Sequence, residues 1–161
     1  MSAIVRRKNK SAVSEVYSRM QAVAGAREVA VGFPRGKCDA YPETGQGVAE
    51  VAARHVYGLG VPVRDFMGQA QAGIVENTKK WMRLAARAPN VEAAEHYLDA
   101  AGAAGANEIK LAIRDGHYEP LAERTIERRY EKGRKSAKPL IDTAHMIEST
   151  TWAVREKGEK R

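Results

Sequence analysis

From Ser11 to Ala24 the apolar side chains Val13, Val16, Tyr17, Met20 and Val23 or Ala24 return at helical spacing, and Gly25 follows. The stripe predicts an amphipathic helix that needs a surface to cover. The period then changes: Val29, Val31 and Phe33 alternate with Glu28, Ala30 and Gly32 up to Pro34, the signature of a half-buried strand. GKCDAYPETGQG is polar and rich in Gly and Pro, so an exposed loop follows. Val48, Val51, Ala52, His55 and Val56 mark a short helix that Gly58 and Gly60 terminate, and Val61-Pro62-Val63 crosses in extended form.

Two long helical patterns come next. Asp65 is placed to cap the first, whose apolar positions run from Phe66 through Ala70, Ile74, Trp81 and Leu84 to Ala88, where Pro89 breaks it. Asn90 is placed to cap the second, carried by Val91, Ala94, Leu98, Ala101, Ile109, Ala112 and Ile113 and ended by Gly116. Inside it, Gly102 and Gly105 cost helix propensity, which predicts close approach of another backbone or a kink. His117 to Pro120 reads as a connector, Leu121 to Tyr130 as a short charged helix, and Lys132 to Lys138 as a flexible basic loop.

Pro139 then forbids a continuing helix, while Leu140 and Ile141 are too apolar to leave in water. This plug is expected to anchor the chain on the core, with Asp142 or Thr143 capping a turn over Ala144 to Glu148. Thr150, Trp152 and Val154 alternate with Thr151, Ala153 and Arg155 as a second strand. Ala3 to Arg7 is a candidate third. The expected fold is α+β: one helix-rich domain over residues 1–161, two long helices packed on a small, mostly antiparallel sheet, and long exposed loops. Residues 1–10 read as a flexible basic arm and 157–161 as a flexible tail. A sheet of so few strands is marginal alone and tends to complete itself against a neighbouring subunit, so an oligomer is expected.

Composition narrows the function classes. The chain has 161 residues, 43% of them hydrophobic and only 6% aromatic, enough for one core of aliphatic and small side chains. A single cysteine, Cys38, excludes an intrachain disulfide and a cysteine metal cluster and fits a reducing cytoplasm. No apolar run approaches a membrane span, and no signal-peptide core follows MSAIVRRKNK. The net charge of +7 suits nucleic acid or an acidic partner. In ERTIERRYEKGRKSAK, however, glutamates recur among the cations, as on a solvated helix face.

Chemistry is sparse. His55, His96, His117 and His145 are scattered without metal-ligand spacing and read as ordinary core or surface histidines. Cys38 lacks a nucleophile signature, and TGQGVAE and GLG read as turns rather than phosphate loops. Glu95 and Asp99, at i,i+4, could bind a cation or act as acid and base, but a solvated face explains them more simply. No catalytic, metal or cofactor residue is assigned.

The order VAVGFP, a loop, VAEVAARHVYGLGVPVRDFM, a long helix, AGAAGANEIKLAIRDGHYEPLAERTIERR and KPLIDTAHMIESTTWAVR resembles a family of tailed-bacteriophage virion morphogenesis proteins. These are neck or tail-completion proteins of the head–tail junction. The resemblance runs from about Val29 to Arg155. Val61 to Phe66 matches the family's Pro-x-Arg-Pro-Phe-like turn, Pro120-Leu121 with Thr125-Ile126 its Pro-Leu and Thr-Ile stretch, and Lys138 to Thr143 its Lys-Pro-Leu-Ile-Asp-Thr-Gly-x-Leu element. The departures are His55-Val56-Tyr57 where a glutamate is usual, Asp65 for the second proline, and Ala144 and Met146 for Gly and Leu.

The resemblance implies a non-enzymatic virion component, assembled in the host cytoplasm as a ring of six subunits around the portal-to-tail axis. Its partners would be neck, tail-terminator or tail-tube proteins, with DNA passing nearby. The alternative is a basic DNA-binding or packaging accessory protein, supported mainly by charge. Candidate interface residues are Arg35, Lys37 and Tyr41 in the first loop, and Lys132, Arg134 and Lys135 in the basic loop. Pro62, Arg64, Phe66, Leu140 and Ile141 join them from the motif segments. Both loops are expected to be mobile until neighbours order them.

Overall fold

A computed structural model of the chain describes residues 27–34 and 36–158. The expected N-terminal strand, the helix over Ser11 to Ala24, the basic arm and the last residues of the tail lie outside that range. Within it, seven elements follow in order: β1 (Arg27–Gly32), α1 (Val48–Tyr57), α2 (Phe66–Ala86), α3 (Val91–Asp115), α4 (Glu123–Glu131), α5 (His145–Ser149) and β2 (Thr151–Glu156). The fold is α+β and helix-rich, with the two long helices α2 and α3 packed along each other. No helix among the described residues is long and apolar enough to cross a membrane.

The helix ends follow local chemistry. Asp65 Oδ1 accepts the Gly68 amide at 2.8 Å and Asn90 Oδ1 the Ala93 amide at 2.8 Å, so each long helix opens on a side-chain cap. Gly58, at φ 69°, closes α1 in the left-handed conformation; its own amide and that of Leu59 both donate to the Arg54 carbonyl, the latter at 2.9 Å. The expected caps of α5 do not form in the usual way. Its N-cap is Ala144, Thr143 Oγ1 reaches only the His145 amide at 3.4 Å, and Asp142 turns instead toward two arginines. α4 begins at Glu123, two residues later than the periodicity suggests, and buries none of its residues fully.

β1 and β2 pair antiparallel, with Val29 opposite Val154 and Val31 opposite Trp152. The terminal strand is thus brought back beside the first. α3 covers this sheet, and the two glycines explain how. A Cβ on Gly102 would collide with the Trp152 ring, and one on Gly105 would lie 3.1 Å from Val31 Cγ1. The glycines let side chains of the sheet, rather than the other backbone expected, sit directly on the helix, and α3 runs unbroken through them. Trp152 Nε1 is satisfied by Asp99 Oδ1 at 3.0 Å, and Arg27 reaches Glu95 at 2.7 Å. Glu95 and Asp99 therefore fasten the sheet to α3 rather than forming a merely solvated face.

The main core gathers Val48, Ala52, Phe66, Ala70, Ile109, Ile113, Leu140 and Met146. Leu140 is 8% exposed, so the plug closes on the chain's own core. Ile141 packs against the same cluster from a half-buried position.

Candidate functional site

Beside that core lies a cavity of about 260 Å³. Its walls come from the Tyr41–Gln46 loop, Val51 and His55 of α1, Arg64, Leu121, Arg129 of α4 and the segment from Leu140 to Met146. Arg64 is held at both ends of its backbone: its amide donates to the His55 carbonyl at 2.8 Å, and its carbonyl accepts the Phe66 amide at 2.9 Å. Because Phe66 is wholly buried, the residue two before it is drawn in too, and Arg64 is only 4% exposed. Its Nε has no hydrogen-bond partner.

Arg129 organises the opposite wall. Its Nη1 donates to the carbonyls of Ser136, Lys138 and Ile141 at 3.3, 2.8 and 2.9 Å, and its Nε stands 3.4 Å from Asp142 Oδ1. One side chain thus satisfies the turns of the basic loop and the plug, which lack regular backbone pairing. Arg134 pairs with Glu43 and lies 3.8 Å from Asp142, joining the two loops that flank the cavity. The Tyr41 and His145 rings contact each other at a centroid distance of 4.8 Å.

Burial and like charge shape the electrostatics. His55 is pushed below the usual histidine range, first by burial and then by the cations Arg64 and Arg129. Arg129 is lowered by burial, against which Asp142 holds it up, while Arg64 and Arg134 add to the lowering. Burial, with Asp142 second, raises Tyr41. Three further buried side-chain nitrogens, His55 Nδ1, Arg134 Nε and His145 Nε2, lack hydrogen-bond partners. The cavity is rich in donors and cations and holds two carboxylates, Asp142 and Glu43, both already engaged by arginines.

The candidate interface residues separate into groups. Tyr41 and Arg64 line the cavity together with Leu140. Phe66, Arg64 and Leu140 are buried within the chain, which corrects their placement on a partner-facing surface: core packing consumes two of them and the turn before α2 draws in the third. Lys132, Lys135, Lys37 and Pro62 are exposed, whereas Arg134 is tied to Glu43 and Asp142. Arg35 lies outside the described residues. The basic loop is more tightly held than its composition suggests, because Arg129 gathers its carbonyls.

Residue patterns alone pass over Arg129 and Glu43, read His55 as an ordinary histidine and give Asp142 only a capping role. One signal was present: Arg129 falls three residues after Ile126, on the half-buried side of α4, where a charge needs partners. Cys38 donates its thiol to the Ser149 carbonyl at 3.2 Å, and burial, followed by Asp39, pushes its pKa up, so it is poorly suited to act as a thiolate. Among the described residues no group of three or more His, Cys, Asp or Glu could hold a metal ion. No protein-family model matches the chain, and neither a curated protein nor a solved structure does.

Proposed function

We propose that the chain is a structural virion protein of a tailed bacteriophage, acting in head–tail joining or tail completion as a subunit of a six-membered ring. The observation that carries this reading is the convergence of the three segments that resemble the phage family. Val61–Phe66, Pro120–Ile126 and Lys138–Thr143 are far apart in sequence, yet Arg64, Leu121, Leu140, Asp142 and Thr143 line one cavity. Segments that share a motif for a structural reason ought to meet in space, and these do.

The sheet adds support. It has two strands, β1 and β2, and their outer edges are unpaired among the described residues. Such edges suit extension by a neighbouring subunit. The DNA-binding alternative draws less from the geometry, because the exposed face of α4 interleaves Glu123, Glu127 and Glu131 with Arg124 and Arg128, and Lys132 follows at its end. Alternating signs weaken attraction to a phosphate backbone.

Electron microscopy of purified particles tests the proposal, with the chain expected as a six-fold ring at the head–tail junction. Its absence from particles, or its presence as a single asymmetric copy, would overturn the reading. A steeply salt-dependent affinity of the purified chain for duplex DNA, together with absence from particles, would favour the accessory-protein alternative.

A further inference from the structure

Arg64 presents an unusual electrostatic situation. A guanidinium is always charged, and a buried charge without a counterion costs far more than an exposed one. Arg64 is buried to 4% exposure, its Nε has no acceptor, and it lines a cavity with room for a small molecule. The two cavity carboxylates do not answer this need, since Asp142 is engaged by Arg129 and Arg134, and Glu43 by Arg134. Of the two guanidinium groups that line the cavity, Arg129 is answered by Asp142, whereas Arg64 has no carboxylate partner among the described residues.

We propose that this cavity is a carboxylate-binding site in which a monoanionic carboxylate, seated against Arg64, supplies the missing countercharge. A planar carboxylate matches the guanidinium fork, and its single negative charge matches the one guanidinium without a partner. A dianion such as phosphate would overshoot and meet Asp142 and Glu43 across the cavity. The carboxylate can be a free small molecule or a side chain of a second copy of this chain, because both offer the same group. The site stands whether or not the subunit joins heads to tails.

The test is a titration of the purified protein with sodium acetate, sodium phosphate and sodium chloride at equal ionic strength, followed through the Arg64 Nε–H resonance and the melting temperature. Acetate is expected to shift the resonance saturably and raise the melting temperature, with chloride doing neither. Arg64→Gln, checked for folding by circular dichroism, should weaken acetate binding at least tenfold, while Lys135→Ala should leave it unchanged. If Arg64→Gln does not fold, the Arg64 resonance of the native chain still decides. Saturation by phosphate but not acetate, equal responses to acetate and chloride, or unaltered binding by a folded Arg64→Gln would each overturn the proposal. Sedimentation separates the sources: acetate weakens self-association if a second copy supplies the carboxylate, and leaves it unchanged if the ligand is free.

Discussion

At Ala144 the backbone sits at φ 62°, in the left-handed region where a side chain other than glycine is strained. The Lys-Pro-Leu-Ile-Asp-Thr-Gly-x-Leu element that this segment resembles has glycine at this position, so the departure falls where the backbone most favours glycine. Ala144→Gly is expected to raise stability by about 0.5–1 kcal/mol, the relief of left-handed strain exceeding the added freedom of the unfolded chain. Urea unfolding at constant m-value measures this. Leu140 shares the conformation at φ 64°, but its side chain fills the core, so glycine there would lose more than it relieves. His55 gives a second residue-scale expectation. Its folded pKa lies below the unfolded value of about 6.5, so the unfolded chain binds the proton more readily. Its contribution is fully present above about pH 6.5 and is lost as pH falls toward the folded pKa. Melting temperatures across pH 5 to 8 should show this slope in the native protein, and a folded His55→Asn variant should flatten it.

Among the elements, α3 and the plug make the strongest demands. Gly102→Ala gains helix propensity of about 1 kcal/mol but drives a methyl into the Trp152 ring, which Asp99 holds in place. A net loss of about 1–2 kcal/mol is expected, with Gly105→Ala closer to neutral because Val31 is merely tight against it. Thermal unfolding of the two variants side by side gives the comparison. For the plug, Leu140→Asp is expected to cost several kcal/mol, on the order of 3–5, by placing an unpaired charge in the core, whereas Lys135→Ala stays within about 0.5 kcal/mol. An unchanged melting curve for Leu140→Asp would mean that the segment does not need its own core.

For the whole molecule, one arginine links pieces that are separate along the chain. Arg129 ties α4 to the basic loop and the plug, and the plug in turn delivers β2 to its pairing with β1. Assembly belongs to the same scale: the outer edges of β1 and β2, unpaired among the described residues, and the exposed Tyr57, Leu59 and Val63 around the α1–α2 connection are surfaces that the proposed ring would cover.

The helix and strand periods, the capping residues Asp65 and Asn90 and the glycine stop after α1 were legible in the chain because each depends on neighbours within a turn or two. So was the plug, since two large apolar residues after a proline have few places to go. The sequence also announced that Gly102 and Gly105 must face something close, without saying what. Only the tertiary structure decided that Trp152 and Val31 fill those places, that Asp142 turns away from capping α5, and that Arg64, Arg129 and His55 share one cavity. These facts depend on contacts across tens of residues, where side-chain identity constrains a charge to find a partner but not which partner the fold brings to it.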